Sequence, residues 1–373
     1  MTQPTASRGS SYLIYVGTYT EPRNVPGANS QGIYVYRFDL ADGTLTPVGV
    51  APCDKNPSFL TLHPSGRYLY AVHEMDQFDG QPGGGVSAFA LDPETGLPAP
   101  LNRQLSQGSI PCHVTTDGSG QHVLLANYVG GCVSMLPLEA DGSLEPASDV
   151  APHRSLDPNA PADKRSHAHQ IIFDRSQRWA FSPDLGLDQV MVYQPDSATG
   201  RLMPQRERTV RVQAGAGPRH MDFHPNGRFA YLINELNGTL LAFELDPAAG
   251  ALRELQTVST LPEGYTGTPS CADIHVAPSG KFVYGSNRGH DSIVIFAIDQ
   301  ASGRLAYVGH ESTQGRTPRN FAIDPTGAYL LAANQDTSTI VTFRIDPTTG
   351  ALTPTGQVTD VPAPVCIKFH QLP

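Results

Sequence analysis

Short stretches rich in β-branched and aromatic residues, broken by Gly, Pro and Asp, recur along almost the whole chain. Around Tyr231 this pattern predicts four strands, at about 221–223, 229–233, 239–244 and 253–258. One phrase then repeats. It has a start with Pro or a small residue, an apolar stretch, a turn of the type His/Asp-Pro-x-Gly, a second apolar stretch ending near Asn, and a third stretch. Its copies begin at Asn56-Pro57-Ser58-Phe59, Pro111-Cys112-His113, His167-Ala168-His169-Gln170, Pro218-Arg219-His220, Pro269-Ser270-Cys271 and Pro318-Arg319-Asn320. Their turns end at positions 66, 120, 177, 227, 280 and 327, spaced 47 to 57 residues apart. A later turn in each period, such as Gly250-Ala251-Leu252, makes four strands per period, the pattern of propeller blades.

Six copies leave two ends over. The N-terminal part supplies stretches at 12–17 and 32–38 and a turn at Asp42-Gly43-Thr44-Leu45, which match every element of the phrase except the first strand. The C-terminal stretch 364–369 resembles that missing inner strand. Joining the two completes a seventh blade and removes two open sheet edges that would invite aggregation. The expected fold is all-β, a single seven-bladed propeller over residues 12–373, with 1–11 as a flexible N-terminal segment.

Composition agrees with that reading. Hydrophobic residues make up 39% and charged ones only 16%, with 36 Gly and 33 Pro, which excludes disorder and disfavours long exposed helices. The formal charge is −10, and no basic run exceeds Lys164-Arg165, so neither nucleic acid nor an anionic membrane is an expected partner. Five scattered Cys without a C-x-x-C pair read as buried free thiols. No apolar stretch is long enough to span a membrane, and the polar start lacks a signal-peptide run; the expected location is the cytoplasm. Motifs for a hydrolase elbow, a dinucleotide fold, a P-loop and a zincin are absent. Gly83-Gly84-Gly85 reads as a flexible hairpin, Asn237-Gly238-Thr239 as a hairpin turn, and Trp179, the only Trp, as core.

The repeat also locates the chemistry. Antiparallel pairing puts the start of each inner strand and the end of each second strand at one mouth of the channel. Strand starts bring Asn56, His113, His167, His169, Arg219, His220 and Arg319. Second-strand ends bring His73, Glu74, Asn127, Tyr128, Asn234, Glu235, Asn287, Arg288, Asn334 and Gln335. The Asn side chains have an alternative use, satisfying turns and strand ends. Three arginines aimed at a narrow channel require an anionic partner. His167 and His169 would face one side of an extended strand, but no further ligands stand at a metal-site spacing, so acid/base or substrate-orienting roles are expected and no metal.

Tyr15-Val16-Gly17-Thr18-Tyr19-Thr20, Gly217-Pro218-Arg219-His220, Asn234-Glu235-Leu236-Asn237 and Ser286-Asn287-Arg288, in register along the repeats, resemble the propeller-type lactonase family. That family includes bacterial 6-phosphogluconolactonases and fungal carboxymuconate-type lactonising enzymes. The resemblance spans Tyr12 to Phe369 and implies a cofactor-free enzyme. The family's channel His, two Arg and Glu correspond to His169 or His167, Arg219, Arg288 and Glu235. The implied reaction is hydrolysis of a small anionic sugar lactone such as 6-phosphogluconolactone. Water would be activated by His169 or Glu235, the oxyanion held by Arg219 and His220, and a distal phosphate by Arg288 and Arg319. His73, His167, Asn127 and Asn334 complete the expected substrate contacts, on a monomer or small homo-oligomer. Two alternatives stay open at this point: closure of an unsaturated dicarboxylic acid to a lactone at the same site, and a noncatalytic propeller that binds partners across one face.

Overall fold

A computed structural model describes residues 11–21, 29–53, 55–157 and 165–371; the segment 1–10 lies outside it, and Ser11 opens a strand. Seven antiparallel sheets of four strands stand around a channel. Blade 1 runs outward through Leu60–Leu62, Tyr68–His73, Gly85–Leu91 and Pro98–Leu105, and blade 2 through Pro111–Thr116, His122–Asn127, Cys132–Pro137 and Asp149–Pro152. Blade 3 comprises Ile172–Phe173, Ala180–Asp184, Gln189–Asp196 and Arg201–Pro204, with the short Val210–Arg211 added on its third strand. Blade 4 is Pro218–Phe223, Phe229–Asn234, Thr239–Asp246 and Ala251–Ser259, the four strands expected from the pattern around Tyr231. Blades 5 and 6 begin at Cys271–Val276 and Pro318–Ile323. Blade 7 joins both ends of the chain: Pro364–His370 is its inner strand and pairs antiparallel with Ser11–Thr18, followed by Gly32–Asp39 and Leu45–Pro52. The seven-bladed all-β reading is therefore the observed fold. Among the described residues, the helical element is a single 3₁₀ turn, Arg206–Arg208.

Each blade is covered on both faces, so its second strand is apolar on both sides rather than alternating. Phe229–Asn234 is buried at every position, whereas the outermost strand Ala251–Ser259 has none fully buried. The cores lie between blades. Trp179 and Phe181 of blade 3 pack with Met221, Phe223 and Phe243 of blade 4, so Trp179 is core as expected, with its Nε1 donating to Pro247 O at 3.1 Å.

At the end carrying the tight turns, neighbouring blades are fastened by one recurring contact. The second-strand tyrosines Tyr15, Tyr70, Tyr231 and Tyr284 donate their hydroxyls to the carbonyls of Gly96, Gly142, Gly303 and Gly350, each in the next blade's outer turn. Gly303 shows why that partner is Gly: φ is +71°, and an added Cβ would sit 2.4 Å from Phe229 Cδ1. The triple glycine stands in a crowded place. It follows a small hairpin, Gln77–Phe78 with Gln81–Pro82, and a Cβ on Gly84 would come within 2.1 Å of Pro111 Cδ.

Candidate functional site

The opposite mouth is shaped by an irregularity in the inner strands. Pairing slips between Pro111 and His113, Pro218 and His220, and Pro318 and Asn320, so one residue of each inner strand is bulged. Regular pleating would turn successive residues to opposite sides, but with the bulge Arg219 and His220 both line the channel. Matching each inner strand to the last residue of its second strand aligns Ala168 with Asp184, Pro218 with Asn234 and Cys271 with Asn287. The residue after each aligned position forms a ring that includes Ser58, Cys112, His169, Arg219, Arg319 and Val365; with Phe59, Glu74 and His220, these line a cavity of about 10 Å³, room for a single water.

Glu235 organises the cations. Its Oε2 accepts from Arg219 Nε and Arg288 Nη2, each at 2.9 Å. Arg219 is buried and also donates Nη1 to Ala272 O, while Nη2 takes no part in these bonds. Arg288 donates Nε to Ser270 O and Nη2 to Cys271 O as well, so it braces Glu235, and its Nη1 takes no part in these bonds. Burial and then Arg219 bring its pKa down to about 10. Burial alone would raise the Glu235 carboxyl, but Arg219, Arg288 and Arg319 hold it below its usual range and keep it ionised. Arg319 is less engaged. Its Nη2 lies 4.0 Å from Glu74 Oε1 and its guanidinium 5.5 Å from the Tyr19 ring, while Tyr19 donates its hydroxyl to the same Glu74 oxygen at 2.8 Å.

The two candidate histidines of blade 3 have separate places. His169 lines the cavity; burial first, then Arg219, lowers its pKa well below the usual histidine range, so it is neutral at pH 7. His167 lies outside this cavity, stacked on Tyr128 with centroids 4.5 Å apart, its Nδ1 3.1 Å from Tyr128 O. Among the described residues no group of three or more His, Cys, Asp or Glu is placed to hold a metal ion.

Three expected substrate contacts do not line the cavity. Asn127 donates Nδ2 to Ser134 Oγ at 3.0 Å and to Ser106 O, just beyond blade 1's outer strand, and Asn334 donates to Thr313 O just beyond blade 5's. Both are fully buried staples between blades, because the last residue of the second strand turns toward the sheet and the following residue, such as Glu74 or Glu235, takes the channel side. His73 holds that same position. Its ring bonds Lys55 O and Ser87 Oγ and stacks on Phe78.

A carboxylate below the arginines escaped the sequence reading. Asp273, buried, accepts from His220 Nδ1 at 2.8 Å, His275 Nε2 at 3.1 Å and Asn320 Nδ2. The repeated phrase lines the fifth copy up on Pro269, but pairing sets Cys271 at the position of Pro218, which moves Asp273 into the register of His220. A strand-pairing alignment anchored on Asn287 is the signal that would have found it. On the far side, His220, His275, Lys368 and Thr115 border a second compartment of about 180 Å³.

A family model described as "Lactonase, 7-bladed beta-propeller" matches residues 13–369. The 6-phosphogluconolactonase of Bacillus subtilis (strain 168) is 38% identical over 370 residues, which cover 97% of this chain and 100% of that protein. The 6-phosphogluconolactonase of Formosa agariphila is 35% identical over 314 residues, covering 83% of this chain and 86% of that one. Among solved structures, the periplasmic gluconolactonase PpgL of Pseudomonas aeruginosa superposes with a TM-score of 0.89 at 35% identity, over 98% of this chain and 100% of that one. Among the described residues no helix is long and apolar enough to cross a membrane.

Proposed function

Because the chain belongs to the seven-bladed β-propeller lactonase family, we propose that it hydrolyses sugar δ-lactones, with 6-phosphogluconolactone as its substrate and 6-phosphogluconate as its product. The observation that carries this reading is the grouping of Arg219 and Arg319 with two neutral imidazoles around a water-sized cavity, with Arg288 joined to Arg219 through Glu235. The lactone occupies the mouth with its carbonyl toward Arg219, and water attacks from the cavity. Arg219 is held in place by Glu235 before substrate arrives, so it stabilises the developing oxyanion without reorganising, worth about 3 kcal/mol for one such donor. A lactone is already activated, and this together with a general base suffices.

Glu235 serves poorly as that base, since both guanidiniums draw on its carboxylate; its role is to set Arg219 and Arg288. His169 and His220 are the imidazoles that line the cavity. Arg319, the guanidinium with the loosest intramolecular engagement, binds the phosphate of a phosphorylated lactone. The buried free thiols of Cys112, Cys132, Cys271 and Cys366 favour a reducing compartment, the cytoplasm. The test is proton release at constant pH on fresh 6-phosphogluconolactone and on δ-gluconolactone, with spontaneous opening subtracted. Opening of the phosphorylated lactone with a preference of tenfold or more, about what one charge-assisted contact provides, supports the reading. Activity on neither, with turnover of an unsaturated dicarboxylate instead, overturns it.

A further inference from the structure

The two imidazoles at the cavity differ in what stands behind them. His169 Nδ1 has Cys112 Sγ at 3.8 Å, a thiol that burial keeps protonated. His220 Nδ1 has the Asp273 carboxylate at 2.8 Å. Asp273 accepts from four donors: His220 and the backbone N–H of Ile274 on Oδ1, and His275 Nε2 and Asn320 Nδ2 on Oδ2. A buried carboxylate so surrounded is ionised and can only accept, so the proton sits on His220 Nδ1 and Nε2 presents a lone pair. That Nε2 is enclosed and has no hydrogen-bond partner among the described residues. His220 borders both the water-sized cavity and the compartment beyond it, with its ring 5.1 Å from that of His169.

We propose that His220 is the general base that takes a proton from the attacking water, with Asp273 as its positioning residue. The assignment rests on the lactone-hydrolysis reading. Water oxygen bonds to the lactone carbonyl carbon, the carbonyl π electrons move onto the oxygen facing Arg219, and one water proton passes to His220 Nε2. When the tetrahedral intermediate collapses, the bond from that carbon to the ring oxygen breaks. His220 returns its proton to the ring oxygen, which leaves as a hydroxyl, and the new carboxyl loses its remaining proton to solvent. Asp273 stays ionised throughout and stabilises the transient imidazolium. His169, without a carboxylate behind it, orients the lactone.

The test compares His220→Gln, Asp273→Asn and His169→Gln in steady-state lactone opening. His220→Gln is expected to lower kcat by about 10²–10⁴-fold with KM within about threefold. Asp273→Asn should lower kcat at least about tenfold at unchanged KM, because the wrong tautomer then faces the water. His169→Gln should raise KM more than it lowers kcat. Imidazole ¹⁵N shifts supply a readout that a merely structural role would leave alone: Nδ1–H on His220 in the wild type, lost in Asp273→Asn. Binding of 6-phosphogluconate by calorimetry and unchanged melting temperatures show that the variants are folded. An active wild type alongside His220→Gln with kcat within about fivefold, or an Nε2–H tautomer in the wild type, overturns the base assignment alone. A wild type that opens no lactone overturns the hydrolysis reading and the base with it.

Discussion

At the end of the propeller with the tight turns, blade after blade repeats one contact, as in Tyr70 to Gly142, Tyr231 to Gly303 and Tyr284 to Gly350. At the other end the same register carries a different residue nearly every time: Ser58, Cys112, His169, Arg219, Arg319 and Val365. Both ends are assembled from equivalent strand positions. Where the residue recurs, it satisfies a need common to all blades, namely fastening to a neighbour and placing a Gly at positive φ. Where it varies, the blades are contributing unlike groups to one asymmetric site. The Asn staples show that the two kinds of position are adjacent: Asn127, Asn287 and Asn334 recur as fasteners, and the residues after them, Tyr128, Arg288 and Gln335, do not.

Acid should separate the two ends most strongly. Burial holds His113 and His169 neutral well below the usual histidine pKa and lowers His220 to about 4. Below pH 6.5 the unfolded chain binds protons that these three folded imidazoles refuse, so stability falls as pH falls. Each such imidazole steepens the slope by up to about 1.4 kcal/mol per pH unit, for His220 down to about pH 4. His275, raised by Asp273 against its burial, works in the opposite sense and softens the slope. Melting temperatures between pH 7 and 4.5 measure this; a flat profile would contradict neutral histidines at the mouth. Next, Glu235→Gln frees Arg219 and Arg288 from their shared anchor and is expected to lower kcat/KM about 10²-fold, comparable to losing one preorganised donor. Arg319→Ala should raise KM for the phosphorylated lactone about tenfold to hundredfold while leaving δ-gluconolactone unchanged, the weight of a charge-assisted contact. Equal losses on both substrates would place the phosphate elsewhere. Asn334→Ala should lower the unfolding free energy measured in urea by about 1–2 kcal/mol and Tyr231→Phe by about 1 kcal/mol, both at wild-type rates of lactone opening. A rate defect in either would blur the division between fasteners and chemistry.

The fold was legible because the repeat is written in local signals: Pro-x-Gly turns, strand stretches and the complementary ends that close blade 7. Arg219 and Glu235 were legible as members of one mouth because antiparallel pairing brings strand starts and strand ends together. Orientation was not. Whether Pro218 or Arg219 turns inward depends on a one-residue bulge in the inner strand, and whether Asn234 or Glu235 does depends on where the second strand ends, neither of which composition records. That is why Asn127, Asn334 and His73 share a repeat position with site residues yet point into the sheets. Asp273 was hidden for a related reason, since the fifth copy carries Pro269 two positions ahead of the residue that pairs like Pro218. The division of the arginines, with two on Glu235 and one near Glu74, depends on side-chain reach across blades, which spacing along the chain does not encode.

The central claim is that Arg219, set by Glu235, opens a sugar lactone at this mouth. The direct measurement is proton release at constant pH on 6-phosphogluconolactone by the wild type and by Arg219→Ala, each checked for its melting temperature. The account predicts opening by the wild type far above the spontaneous rate and a loss of about 10²–10³-fold in the variant, with the propeller still folded. Equal rates from the two folded proteins would contradict it.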